Sequence, residues 1–196
     1  EIIEKKFSLI LVDMPIGLDE ELMKGGRAVD REARGMLLKN KSSIFNPPSR
    51  LALKAKDYQE ANKINKEQGM GLSKQSWFLF KKIKEIDTIL EIKNRPEIFE
   101  SHPELVFQVM KGGAIETKKN TQEGLKERID ILKENGFDKE FIEKFINKKN
   151  SFYKNDDFID SCSLFWSAKR VVKNNEIQIP NKIIRDVKGI IMQMKI

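Results

Sequence analysis

Apolar and polar positions along the chain fall into blocks of two different periods. The first block is the unbroken run FSLILVDM, Phe7 to Met14, stopped by Pro15 and Gly17. An apolar run of that length bounded by turn residues predicts a strand buried on both faces. A helical pattern follows from about Glu20 to Lys39, loosened by Gly25 and Gly26, and ends in KSSIFNPPSR, where Pro47 and Pro48 forbid helix. Helices are predicted at about Asp57 to Glu67 and Lys74 to Lys93, with QGMG between them. PEIFES, Pro96 to Ser101, is a short strand candidate, and Pro103 stands where a helix can begin without losing a hydrogen bond; that helix runs to Gly112. NTQEGLKERIDILKENG predicts a helix capped by Thr121 and stopped at Gly136, DKEFIEKFI another, and DDFIDSCSLFWSAKRVVK the longest apolar-faced one. Past Pro180, GIIMQMKI has the pattern of an edge strand. The alternation of strands and helices is that of an α/β fold in one domain, residues 1–196, with a helical insertion at about 41–93.

Composition narrows the class. Hydrophobic residues at 39% and charged residues at 34% are those of a soluble globular protein. No apolar run approaches the ~18 residues that cross a bilayer, so no membrane partner is expected. A single cysteine, Cys162, excludes an internal disulfide and a cysteine-based zinc cage, which suits the cytoplasm. The formal charge of +7 points to nucleic acid as a partner. It is equally the signature of lysines spread over solvated helix faces.

Candidate chemistry sits at strand ends and helix starts. Asp13 closes the first apolar run, the place where open α/β sheets put their chemistry, or else caps the turn that follows. Glu100 closes the second strand. In NDDFIDSC, Asp156, Asp157 and Asp160 are three and four apart, near one face of the first helical turn. Helix capping accounts for one or two of these acids. It accounts less well for Asp160, which heads the inward stripe. Carboxylates from two strand ends and one helix would suit Mg²⁺ or Mn²⁺, the arrangement used in phosphodiester hydrolysis. Arg27, Arg31 and Arg34 stand four and three apart, a self-paired solvated face or a set of phosphate forks. Arg50 and Lys118 are further candidates for substrate contact. His102, the only histidine, starts a helix beside Glu100, where an imidazole orients a water, binds phosphate or simply caps.

Taken together, LVDMPIGL, RAVDREAR, SSIFNPPSR, GLSKQSW, ESHPELVF, KKNTQEGLKERIDIL and DDFIDSCSLFWSAKR resemble, in the same order, the domain of unknown function 429, whose members are described as predicted nucleases of the RNase H fold. HPELVFQVMKGG and DDFIDSCSLFWSA also resemble the last-strand helix and the acidic C-terminal helix of the RuvC-like branch. The resemblance implies an RNase H-like mixed sheet flanked by helices, with Asp13, Asp157 and Asp160 as metal ligands. Glu100 and His102 belong to the family's own E-x-H-P-E signature and stand beside these acids as catalytic candidates. It also implies that the fold's first three strands, one carrying a metal-binding acid, precede Glu1. The expected activity is metal-dependent hydrolysis of nucleic acid; the alternatives are a non-catalytic nucleic-acid-binding or scaffold module, and a small-molecule phosphotransferase, against which the lack of a glycine-rich phosphate loop weighs.

Overall fold

A computed structural model of the chain describes residues 7–146 and 152–196. Strand β1, Leu9–Val12, runs parallel to β2, Glu97–Glu100, with Leu9 opposite Glu97 and Val12 opposite Glu100. β2 is parallel to β4, Ile191–Lys195, and β4 is antiparallel to β3, Gln178–Arg185. Among the described residues the order β1-β2-β4-β3 makes a mixed sheet of four strands. Two expectations change. β1 is half-buried along its length, and among the described residues it pairs on one side only, with β2. The C-terminal run is not an edge strand: β3, masked in the sequence by Pro180 and its polar residues, pairs outside it.

The helices follow their start and stop residues. The pattern over Glu20 to Lys39 yields only α1, Ala28–Met36, because Gly25 and Gly26 take φ of 85° and 88°, a region closed to helix. Asp57 caps α2, Tyr58–Glu67, and the expected long helix after it divides at Leu79 into α3, Lys74–Phe78, and α4, Phe80–Leu90. α5 is Pro103–Lys111, with proline at its first position. Thr121 accepts from the Gly124 N–H and starts α6, Gln122–Glu134. α7, Lys139–Ile146, and α8, Asn155–Val172, complete the set.

α1 packs on β3 and β4, α8 on β1, and α5 against both α6 and α8. One apolar cluster joins them around Leu105, Phe107, Leu132, Ile159 and Met194. Fully burying side chains of this kind stabilises by about 1.5–3 kcal/mol each. A second, smaller cluster of Leu18, Leu53, Ala61, Leu72, Phe80 and Ile83 sits within residues 41–93 and the turn after β1. Arg50 ties this segment to the sheet, donating to Asp87 and to Asp186 in the β3–β4 turn. Among the described residues no helix is long and apolar enough to cross a membrane.

Candidate active-site cleft

Parallel pairing puts the C-terminal ends of β1, β2 and β4 on one side of the sheet. The Ser101 N–H donates to Val12 O at 2.9 Å, so Asp13 and Ser101 leave adjacent strands together. A cleft of about 350 Å³ opens there, with Asp13, Ser101, His102, Glu104 and Lys119 among its lining residues.

Asp13 keeps exposed surface at the mouth of the cleft, yet protein surrounds it on most sides. That desolvation raises its carboxyl to about 6, with Lys119 opposing the shift and Glu104 adding to it. Asp160, in the second turn of α8, is only 7% exposed. Burial raises it too to about 6; Lys119 opposes, and the charges of Asp13 and Glu104 push further. Its Oδ2 accepts from the Lys119 ammonium, while Oδ1 has no hydrogen-bond partner among the described residues. Lys119 comes from the loop before α6. Desolvation works to lower its pKa, but Asp160 above all, then Asp13 and Asp156, hold it above its ordinary value.

Glu104 and Glu100, which line the cleft, are paired with buried arginines. Arg128, 2% exposed, grips Glu104 by Nε at 3.0 Å and Nη2 at 2.6 and 2.8 Å. Arg27 reaches Glu100 at 2.8 and 3.0 Å, Asp30 at 2.6 and 3.0 Å, and the carbonyls of Ile16 and Gly17. The Ile16 N–H also donates to Glu100 Oε2 at 2.8 Å. Glu100 is therefore a junction of β2, α1 and the turn after β1. His102 caps the start of α5 by backbone geometry only. Burial lowers its pKa, keeping it neutral near pH 7. Nε2 stands 3.4 Å from Ser43 O, and Nδ1 has no partner among the described residues. The Ser101 hydroxyl, 1% exposed, is unpartnered as well.

Of the acids expected as ligands, Asp13 and Asp160 meet around Lys119. Asp157 faces away: it is exposed, and its Oδ2 accepts from the Lys154 N–H at 2.9 Å, so it serves the helix start. Asp156, not Asp157, is the neighbour whose charge reaches Lys119. The arginine stripe divides. Arg27 is buried with every donor engaged; Arg34 donates to Gly25 O, Ile44 O and Asn46; exposed Arg31 donates to Gly26 O. Arg50 is buried between Asp87 and Asp186. Lys118 is exposed on the loop. Sequence reasoning missed Lys119, Glu104 and Arg128. The KK pair of KKNTQEG marks the loop, but nothing linear says which lysine turns inward.

Among the described residues no group of three or more His, Cys, Asp and Glu side chains is arranged to hold a metal ion. Two carboxylates, one with an unpartnered oxygen, still fit Mg²⁺ or Mn²⁺, ions that keep several waters and are commonly held by one or two protein carboxylates plus phosphate. A second cleft of about 650 Å³, by Arg95, Arg185 and Lys188, holds no comparable unpaired group. Its cations donate to backbone carbonyls or pair with Asp87 and Glu91.

Fold and cleft together define a mixed α/β protein with a carboxylate–lysine cluster at its parallel strand ends. A family model described as Protein of unknown function (DUF429) matches residues 2–184, and the chain belongs to that family. Searches of curated proteins and of solved structures find no match.

Proposed function

We propose that the protein is a divalent-metal-dependent nuclease that hydrolyses phosphodiester bonds at this cleft, on an RNase H-like sheet of the RuvC-like kind. The observation that carries the proposal is the convergence of Asp13 and Asp160, both raised to about 6, with Asp160 Oδ1 unpartnered. Perturbed carboxylates crowded at a strand-end cleft are the usual mark of a functional site. Asp13 and Asp160 would hold Mg²⁺ or Mn²⁺; when bound, such an ion lowers the pKa of its water and shields phosphate charge. Lys119, only partly buried, is placed to exchange Asp160 for a phosphate oxygen. His102, neutral and beside the cluster, supplies a nitrogen that can accept or hand on a proton. Arg128 and Arg27 hold Glu104 and Glu100 in place through their paired hydrogen bonds, so the cleft keeps its shape as charge enters.

The test is cleavage of labelled nucleic acid under Mn²⁺ titration, beside calorimetric Mn²⁺ binding. Asp13→Asn and Asp160→Asn should abolish both while preserving the circular dichroism spectrum, because an amide keeps shape and loses charge. Asp157→Asn should leave both nearly intact. A wild-type chain that neither cleaves nor binds Mn²⁺ sinks the proposal. The second reading, a non-catalytic nucleic-acid-binding module, is favoured by one observation: Lys119 forms an ion pair with Asp160 and takes up charge that a metal would need.

A further inference from the structure

We infer that the cleft seats one unstacked nucleotide, with its base against the wall built by residues 41–93 and its phosphate at the Asp13–Lys119 end, so that the strand recognised is single rather than paired. For its phosphate end this rests on the nuclease proposal; the base wall stands on separate observations. The lining of the cleft is of two kinds. Asp13, Glu104, Lys119 and His102 are ionic or polar, whereas residues 41–93 contribute the apolar Phe45, Pro47 and Leu79, together with Gln75. A volume of about 350 Å³ is the size of a single nucleotide, whereas a duplex presents grooves about 6 to 12 Å wide between two backbones.

Phe45 is the residue without another explanation. It is half-buried, belongs to neither apolar cluster, and has no ring partner among the described residues, while Trp77 on the same segment packs against both Tyr58 and Phe80. A ring left free on one wall of a charged cleft is a stacking platform that accepts any base. Gln75 is exposed, and its amide has no hydrogen-bond partner among the described residues. That amide offers two donors and an acceptor to the edge of a base. Bases inside a duplex are already stacked and paired, so only extrusion would bring one to this wall.

The experiment measures anisotropy of a labelled single strand and of a hairpin duplex with the full chain, with and without Mn²⁺. Wild type, Phe45→Leu, Phe45→Trp and Gln75→Ala are compared, each checked for folding by circular dichroism. Single strand should bind more tightly than duplex. Phe45→Leu, which keeps apolar bulk but loses the π face, should weaken it roughly five- to a hundredfold, and Phe45→Trp should restore it. Calorimetric Mn²⁺ affinity should be the same in all four, since no carboxylate is altered. Equal binding of single strand and duplex, or unaltered binding by Phe45→Leu, overturns the nucleotide slot; with Mn²⁺ binding and cleavage intact, the nuclease proposal survives. Phe45-dependent preference for single strand without Mn²⁺ binding supports the slot and removes the nuclease. A folded wild type that binds no nucleic acid overturns the slot.

Discussion

Asp160 presents one oxygen to an ammonium and the other to no partner, and its titration reports on both. In an unfolded chain aspartate loses its proton with a midpoint of about pH 4. Folded Asp13 and Asp160 keep theirs to about 6, so the folded state holds more protons across that interval. Stability from these two groups is therefore full below about pH 4 and lost as pH rises to about 6. Thermal unfolding between pH 4 and 7 should show that decline, and Asp160→Asn should flatten it. Glu127 acts in another window: burial works to raise it, but Lys111, Thr117 and two backbone N–H groups pull it to about 2. Its contribution fades only as pH falls from about 4 towards 2. Because Lys119 lowers the Asp160 pKa, Lys119→Gln should move the midpoint above about 6 in a carboxyl-carbon NMR titration. An unmoved midpoint would mean that the pair does not form in solution.

At the scale of elements, the cleft depends on close approaches that a side chain would block. A Cβ added at Gly124, in the first turn of α6, would lie 1.9 Å from Lys118 O. Backbone cannot yield as a flexible side chain can, so Gly124→Ala should push the loop away and cost about 1–3 kcal/mol in urea denaturation. It should also shift the Asp160 titration, since the same loop carries Lys119. Arg27 holds α1, β2 and the turn after β1 at one point. Arg27→Met would leave Glu100 and Asp30 buried with no cation, and should cost about 3–5 kcal/mol, read from the denaturant midpoint. A loss under 1 kcal/mol would argue that these acids find water.

Across the whole molecule, two apolar clusters meet through a thin ionic bridge. Arg50 joins Asp87 of α4 to Asp186 of the β3–β4 turn, and the Leu18 N–H donates to Asp186 at 3.2 Å. Removing that bridge should loosen the 41–93 segment before the sheet, because the two clusters have no residue in common. Hydrogen exchange in Arg50→Met should rise in α2 and α4 while β2, β4 and α5 stay protected. Uniform acceleration would instead show one cooperative unit. Any loosening would also displace Phe45 and Gln75 from the cleft wall.

Much of this architecture was legible along the chain because it depends on neighbours. Pro103 at a helix start, Thr121 as a cap, and the apolar run after Phe7 each carry their signal within a few residues, and two strands ending in acids followed from such runs. The helix breaks at Gly26 and Leu79 lie at the limit of that range. What the chain could not show depended on distant partners. Arg27, Arg34 and Arg50 look alike as free cations, but carbonyls and carboxylates up to 136 positions away take up their donors. Asp157 and Asp160 look alike as acids, but one turn of α8 sends the first to its own backbone and the second to Lys119. Local sequence determined where the elements start and stop, since capping and turn conformation act over one helical turn; tertiary structure alone decided which charges are paired and which face the cleft, since burial and Coulomb attraction act between residues that only folding brings together.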